Sequence, residues 1–133
     1  MSNKKFPKEE SESYWRNQLN EKEYNVLREK GTESPFSGKY NLHIEKGDYV
    51  CGACKTLLFT NNQKFDSGCG WPSFDDAKKG AVEFVLDKSH GMIRTEVVCN
   101  NCGGHLGHLF NDGTTKTRQR YCINSVSLDF KEG

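Results

Sequence analysis

Four of the six cysteines in this chain form two Cys-x-x-Cys clips, Cys51-Gly-Ala-Cys54 and Cys99-Asn-Asn-Cys102. The two-residue spacing lets both thiolates of a clip bind one ion, and 44 residues, 55 to 98, separate the clips. Two such clips supply the four soft ligands of a closed tetrahedral zinc site. The pattern therefore predicts one structural Zn²⁺ per chain, bound by Cys51, Cys54, Cys99 and Cys102 and without an open position for catalysis.

A single Cys-x-x-Cys pair can also be the redox centre of a thioredoxin-like protein. That alternative requires one clip within a βαβ unit and leaves the other clip without a function. Only 34% of the 133 residues are hydrophobic, so the apolar core is expected to be lean. A four-thiolate zinc site can supply on the order of 10 kcal/mol of folding free energy, which favours the structural metal.

The other two cysteines lie in different contexts. Cys122 lies between Arg120 and Asn124 in a predicted strand, where side chains two residues apart share a face. The cation of Arg120 favours the thiolate form of Cys122, which is the nucleophilic form. Cys69 lies in the loop segment Gly68-Cys-Gly70, from which its thiol could move toward an oxidised cysteine. A buried structural cysteine at 122 and a loop cysteine without a partner at 69 are the alternatives.

Three ring side chains lie near these cysteines in the sequence. His105 and His108 follow the second clip, and imidazoles donate hydrogen bonds or protons near neutral pH. They could instead bind the metal, but four cysteines already complete its ligand shell. Trp71 offers a flat apolar wall, although core packing is the default function of a tryptophan.

The 19 basic and 18 acidic residues give a formal net charge of +1, so no global field favours nucleic acid or an anionic membrane. No apolar window approaches the length of a membrane span, and the N-terminus lacks the apolar stretch of a secretory signal. We therefore expect a cytoplasmic protein with no nucleic-acid or membrane partner. Thiols stay reduced in that compartment, which favours metal binding or redox catalysis over a permanent disulfide framework.

The predicted fold is α+β and mainly β. Helical signals cover residues 11–19, and a second short helix begins at the N-cap Asn20 with acidic Glu23 at N3 and ends near Gly31. Short β-rich runs predict antiparallel strands over 48–50, 56–60, 81–86, 93–98 and 121–130. We expect residues 1–10 to form a flexible N-terminal segment and residues 11–133 to form a single domain.

Three ordered motifs together resemble the B-type peptide methionine sulfoxide reductases: Gly68-Cys-Gly-Trp-Pro-Ser-Phe74, Cys102-Gly-Gly-His-Leu-Gly-His-Leu-Phe110 and Arg120-Tyr-Cys-Ile-Asn-Ser125. The resemblance extends to residues 27–33, 35–38 and 94–97, and so covers almost everything after the first ten residues. It implies two antiparallel β-sheets with small N-terminal helices. It also implies stereospecific reduction of methionine R-sulfoxide, chiefly in oxidised proteins and peptides.

The resemblance also implies roles for individual residues. Cys122 would be the nucleophile, and its sulfenic acid would condense with Cys69 to give a disulfide that thioredoxin reduces. Arg120 matches the residue that favours the thiolate, and Trp71 matches the residue that packs against the substrate methyl group. The residues that match those around the sulfoxide oxygen are His105, His108 and Asn124, with Asp112 near this group.

The chain departs from the usual family pattern at Thr114, where proline is frequent, and at Arg118, where glycine is frequent. This loop borders the expected site, so its rigidity and its contacts with peptide substrates are in question. A zinc-ribbon binding module is a second possible class, but it leaves Cys69 and Cys122 without a function, and the near-neutral charge speaks against nucleic acid. A general disulfide oxidoreductase is a third, distinguished by reduction of insulin without reduction of sulfoxides.

Overall fold

The computed structural model describes residues 6–132. Residues 1–5 of the predicted flexible segment lie outside the described residues. Within the same segment, the Lys8 N–H donates to the Asn101 carbonyl oxygen at 2.7 Å. This bond ties the beginning of the described chain to the second cysteine clip, and the flexibility of residues 1–10 stays a prediction.

Two short helices, α1 (Glu12–Gln18) and α2 (Glu21–Glu29), lie at the positions that the sequence predicts. The predicted capping box is present: the Glu23 N–H donates to Asn20 Oδ1 at 2.8 Å, and the Asn20 N–H donates to Glu23 Oε1 at 2.9 Å. The left-handed residue at the end of α2 is Lys30, with φ 62°, one residue before the predicted stop at Gly31. The helices bury Trp15, Tyr24, Val26 and Leu27, and Leu19, which follows α1, is buried as well.

The described residues also form nine strands: β1 (Gly47–Cys51), β2 (Leu57–Thr60), β3 (Lys64–Phe65), β4 (Ser73–Phe74), β5 (Val82–Asp87), β6 (Arg94–Cys99), β7 (His105–Phe110), β8 (Arg120–Ile123) and β9 (Leu128–Glu132). They build two antiparallel sheets, in the orders β2-β1-β9 and β3-β4-β8-β7-β6-β5. The mainly β fold of two antiparallel sheets with small N-terminal helices is therefore confirmed.

One predicted strand, 121–130, is wrong as a single element. The chain leaves the larger sheet after β8, makes a 3₁₀ turn over Ser125–Ser127, and enters the smaller sheet as β9. Pairing with β7 ends at Asn124, whose backbone N–H and side-chain Nδ2 both donate to the Leu106 carbonyl oxygen, at 2.9 and 3.0 Å. The strand β7, which the sequence analysis did not predict, lies beside β8 in the larger sheet.

Aromatic side chains from both sheets form the core between them. The ring of Phe59 stacks on that of Phe74 with centroids 4.1 Å apart, and Tyr49 meets Phe74 edge-on at 5.1 Å. This contact holds β4, and therefore its neighbour β8, against the smaller sheet. Within residues 6–132, neither helix is long or apolar enough to cross a membrane.

Candidate metal centre and active site

The four clip cysteines come together where the two sheets meet. Cys51 ends β1 of the smaller sheet and Cys99 ends β6 of the larger one. The four Sγ atoms lie within 4.8 Å of one another, with Cys51 to Cys102 at 3.7 Å and Cys54 to Cys99 at 3.6 Å. A tetrahedron with metal–sulfur bonds of about 2.3 Å places its sulfur atoms about 3.8 Å apart.

Backbone N–H groups complete the surroundings of these sulfur atoms. The N–H groups of Ala53, Asn101 and Gly104 each point to a clip sulfur at 3.4 Å. Such donors stabilise thiolates, so the four cysteines fit a tetrahedral metal ion and belong to one centre that links both sheets.

The remaining cysteines also lie side by side. Cys122 is on β8, Cys69 is in the loop between β3 and β4, and their Sγ atoms are 3.8 Å apart. Gly68 and Gly70 flank Cys69 with φ of 77° and 97°, a backbone conformation that glycine adopts without strain. A disulfide needs the sulfurs to approach to about 2.0 Å, so a small movement of this loop is enough to join them.

The two thiols differ in acidity. Burial raises the pKa of Cys122 to about 12, and the neighbouring Cys69 adds to that rise, while Arg120 lowers it without outweighing burial. Burial also acts to raise the pKa of Cys69, but hydrogen bonds with Ser67 and Ser73 outweigh it, and that pKa lies below its usual value. Arg120 therefore acts in the predicted direction, yet Cys122 is a thiol rather than a thiolate in the resting protein.

The limited effect of Arg120 has a structural cause. Its Nε and Nη2 donate to the two carboxylate oxygens of Asp112 at 2.7 and 3.1 Å, and its guanidinium lies 4.4 Å from the Phe110 ring centroid. The carboxylate neutralises part of the charge that Cys122 would otherwise feel. Asp112, placed only near the site by the sequence, thus contacts the site cation directly.

A cavity of about 250 Å³ opens over Cys122. It brings together six of the seven predicted catalytic and substrate-binding residues: Cys69, Trp71, His108, Arg120, Cys122 and Asn124. Thr32, Arg94, Gly107 and Phe110 also line it, and the sequence analysis did not assign them to the site. All four lie in segments that carry the resemblance, 27–33, 94–97 and 102–110, and this was the available signal for them.

His108 is the direct cross-strand partner of Cys122, since β7 pairs with β8 in that register. Its Nε2–H donates to Asp87 Oδ2 at 2.7 Å, and Asp87 also pairs with Arg94 at 3.4 Å. Burial lowers the pKa of His108 and outweighs the opposite effect of Asp87, so the imidazole is neutral near pH 7. A neutral ring that donates through Nε2 keeps a proton-accepting lone pair on Nδ1.

His105 does not line this cavity. It is buried, and its Nδ1 donates to the buried carboxylate of Glu96 at 2.7 Å, while Lys30 Nζ donates to the other oxygen at 3.2 Å. Burial acts to raise the pKa of Glu96, but these two donors lower it below its usual value. The ring centroids of His105 and His108 are 5.6 Å apart, and the assignment of His105 to substrate binding stays a prediction.

Glu33 does not line the cavity but forms hydrogen bonds with two residues that do. Its backbone carbonyl accepts from Trp71 Nε1 at 3.1 Å, and its backbone N–H donates to Asn124 Oδ1 at 3.0 Å. Its buried carboxylate accepts from the Val126 N–H at 2.9 Å. One residue thus fixes both the tryptophan and the asparagine of the site. In the sequence, Glu33 is only the last residue of the segment 27–33, and no function was predicted for it.

Neither of the two positions at which the chain departs from the family pattern lines the cavity over Cys122. Thr114 lines a second cavity, which shares Cys69 and Arg120 with the first. Arg118 has φ 62°, a left-handed conformation in which glycine would be unstrained. The Arg118 carbonyl oxygen accepts from the Gly113 N–H at 3.1 Å, so the loop closes on itself despite both substitutions.

A thiol pair within reach of disulfide formation, in a cavity with an aromatic wall, a neutral imidazole and a cation, defines a thiol-dependent oxidoreductase. Known proteins agree with this class. A family model described as the SelR domain matches residues 19–132. A protein of Agrobacterium fabrum named peptide methionine sulfoxide reductase MsrB is 53% identical over 133 residues, 98% of each chain.

Two further relatives carry the same name. One from Teredinibacter turnerae is 52% identical over 122 residues, covering 91% of this chain and 90% of the relative. One from Methanosarcina barkeri is 53% identical over 124 residues, covering 92% and 87%. This chain belongs to the B-type peptide methionine sulfoxide reductase family, as its motifs indicated. It is therefore an enzyme, an oxidoreductase of the peptide-methionine (R)-S-oxide reductase class.

Proposed function

We propose that this enzyme reduces methionine R-sulfoxide, chiefly in oxidised proteins and peptides, through a Cys122 sulfenic acid and a Cys122–Cys69 disulfide that thioredoxin recycles. The observation that carries the proposal is the 3.8 Å separation of the two Sγ atoms beside a cavity that Trp71 and His108 also line.

The proposed reaction has two covalent steps on the protein. The Cys122 thiolate attacks the sulfoxide sulfur, the oxygen takes up the proton that the thiol lost, and it is transferred to the cysteine sulfur as the substrate S–O bond breaks. Cys122 is oxidised by two electrons to a sulfenic acid, and the sulfoxide is reduced by the same two electrons to methionine, which is released. The Cys69 thiol then attacks the Cys122 sulfur, a disulfide forms, and water leaves. A dithiol reductant restores both thiols and becomes a disulfide itself.

Because the Cys122 thiol is not ionised at rest, the reaction needs a base, and His108 has this role. The reaction needs a thiolate on Cys122 and a proton on the departing oxygen. The neutral imidazole, directly across the strand pair, accepts the thiol proton and delivers it to the sulfoxide oxygen. Arg120 then favours the thiolate that this transfer creates. Asp87 holds the imidazole in the tautomer that this transfer requires.

Three side chains account for substrate binding. Trp71 and Phe110 offer apolar surface to the methyl group and side chain of the oxidised methionine. Asn124 lines the same cavity, and one of its two Nδ2–H groups donates to Leu106, which leaves a second donor for the sulfoxide oxygen. Apolar surface and a hydrogen-bond donor in one cavity can distinguish the methyl group of a sulfoxide from its oxygen, which supports selectivity for one epimer.

The four-cysteine centre is proposed to bind Zn²⁺, which matches thiolate ligands in tetrahedral geometry. Cys51, Cys54, Cys99 and Cys102 leave no open coordination position, so the ion stabilises the fold and takes no part in the reaction. We also place the enzyme in the cytoplasm, where reducing conditions keep four metal-binding thiols and two catalytic thiols reduced.

Epimer-resolved reduction of a methionine sulfoxide peptide tests the proposal. With dithiothreitol, the protein should consume the R epimer only, and Cys122→Ser should abolish turnover. Cys69→Ser should keep turnover with dithiothreitol, which can reduce the sulfenic acid directly, but should lose it with thioredoxin. Consumption of neither epimer by folded protein, or insulin reduction in its place, would contradict the proposed function.

A further inference from the structure

Arg94 lies in the wall of the cavity over Cys122, beside the proposed base His108. It begins β6 and is the direct cross-strand partner of Asp87, which ends β5. Its Nη2 donates to Asp87 Oδ2 at 3.4 Å, and the same oxygen accepts from His108 Nε2 at 2.7 Å. One carboxylate oxygen therefore joins a cation to the imidazole.

Asp87 is held by donors on both of its carboxylate oxygens. Its Oδ1 accepts from the Ser89 N–H at 2.9 Å and from the Ser89 hydroxyl at 2.7 Å, within the turn that connects β5 to β6. The bonds from Ser89, together with the one from His108, hold the pKa of Asp87 well below its usual value. A carboxylate fixed in this way orients the imidazole, but by itself it also favours the protonated imidazolium.

The charge of Arg94 offsets this effect of the carboxylate. The Arg94 side chain is only 24% exposed, and its Nε–H is buried without a hydrogen-bond partner among residues 6–132. Hydrogen bonding alone therefore does not explain why a cation is buried here. The side chains of Asp87 and His108 are 16% and 14% exposed, so water and salt screen the cation only weakly from either of them.

Titratable groups face His108 from each neighbouring strand. They are Asp87 of β5, Arg94 and Glu96 of β6, His105 of β7 and Cys122 of β8, with Cys69 and Arg120 in the same cavity wall. Burial lowers the pKa of His108 most, the hydrogen bond to Asp87 raises it, and the cation of Arg94 lowers it again, with a smaller effect in the same direction from His105. Arg94 is therefore the charged neighbour that does most to keep the ring neutral.

We propose that Arg94 is a positioning residue that acts through Asp87: the pair holds the His108 imidazole oriented and neutral, so that it accepts the Cys122 proton even at mildly acidic pH. This inference rests on the proposed function and adds a residue that does not itself react. Without Arg94, the uncompensated carboxylate favours the imidazolium, which has no lone pair and cannot act as a base. The transfer itself is unchanged: the thiol proton passes to His108 Nδ1, leaves Cys122 as a thiolate, and passes on to the sulfoxide oxygen.

Two substitutions separate the charge of Arg94 from its hydrogen bond. Arg94→Gln removes the charge and keeps a polar donor, whereas Arg94→Lys keeps the charge. The matched control is Lys88→Gln, which removes one positive charge from an exposed side chain in the same turn. The protonation midpoint of His108 in the resting protein is measured by an NMR titration of its imidazole Cε1–H signal, assigned by its absence in His108→Asn.

In Arg94→Gln the His108 midpoint should move to higher pH, and the acidic limb of kcat/KM for an R-sulfoxide peptide with dithiothreitol should move with it. This variant should lose about fivefold in kcat/KM at pH 6 and stay within about twofold at pH 8.5, because the neutral base becomes scarce only below its midpoint. Arg94→Lys should restore both quantities, and Lys88→Gln should leave both unchanged. Asp87→Asn should move the midpoint to lower pH, which keeps the inference testable if Arg94→Gln does not fold.

An unchanged His108 midpoint in Arg94→Gln, an equal loss of kcat/KM at both pH values, or an equal shift in Lys88→Gln would each overturn the inference. So would an Arg94→Lys protein that behaves like Arg94→Gln, because the role is assigned to the charge. The titration uses resting protein without substrate. A protein that reduces no methionine sulfoxide would therefore contradict the proposed function, while the midpoints would still decide the role of Arg94.

Discussion

A nucleophilic cysteine is expected to be the more acidic of two thiols, but here the pKa values of the two candidate active-site thiols have the reverse order. The proposed nucleophile Cys122 has a pKa raised by burial, and the proposed resolving residue Cys69 has a pKa lowered by its hydroxyl neighbours. The arrangement is consistent with the reaction, because a protonated Cys122 brings the proton that the sulfoxide oxygen needs. It also protects Cys122 from reagents that react with thiolates in the absence of substrate.

Alkylation with iodoacetamide at pH 7.5 should therefore modify Cys69 at least about tenfold faster than Cys122, since thiolate population changes tenfold per pKa unit. In Cys69→Ser, Cys122 should react faster than in the unmodified protein, because the neighbouring thiol no longer raises its pKa. As pH rises toward 12, the two rates in the unmodified protein should converge. Quenched reactions and peptide mass spectrometry measure both rates. Faster modification of Cys122 at neutral pH would contradict this assignment.

At the scale of elements, sequence signals were reliable where a local rule determines the structure. The capping box at Asn20 and Glu23 and the spacing of the clips each fix a feature within a few residues. The split after β8 could not be predicted in this way, because β8 and β9 pair with strands of different sheets that are distant in the sequence. The cavity walls set by Glu33 were missed for the same reason.

The close approach of β7 to β8 at Gly107 is also a contact between residues distant in sequence, and it leads to a prediction about stability. Gly107 lies opposite Ile123 on β8, and a Cβ on Gly107 would lie 1.9 Å from the Cys122 carbonyl oxygen. Gly107→Ala should therefore push β8 away, lower the free energy of unfolding by about 3 kcal/mol and abolish turnover. Gly80→Asn is the control, because nothing lies within 4 Å of the added Cβ and asparagine tolerates its φ of 79°. Urea unfolding and the sulfoxide assay give both results, and an active, stable Gly107→Ala would show that the strands can separate freely.

At the scale of the whole molecule, the four-cysteine centre joins the two sheets at a second place, besides the aromatic core between them. The smaller sheet contributes Cys51 and the larger sheet Cys99, while Cys102 lies beside α2, where Arg28 Nη1 donates to its carbonyl oxygen at 3.0 Å. Because β8 of the larger sheet and β9 of the smaller one flank the Ser125–Ser127 turn, separation of the sheets would also distort the chain just after Cys122. The four-cysteine centre and the candidate active site are thus coupled through the fold rather than through a contact.

Loss of one clip cysteine should then unfold the protein and not merely weaken catalysis. A four-thiolate zinc site supplies on the order of 10 kcal/mol, which is comparable with the roughly 5–15 kcal/mol net stability of a domain. Cys54→Ala should reduce bound zinc from about one equivalent to a small fraction and remove the cooperative thermal transition, because three thiolates no longer close the tetrahedron. Cys69→Ser, which also removes a thiol, should keep both the metal and the transition. Metal analysis and circular dichroism of the two variants measure these outcomes. A folded Cys54→Ala protein without metal would show that the aromatic core around Phe59 and Phe74 holds the two sheets together by itself.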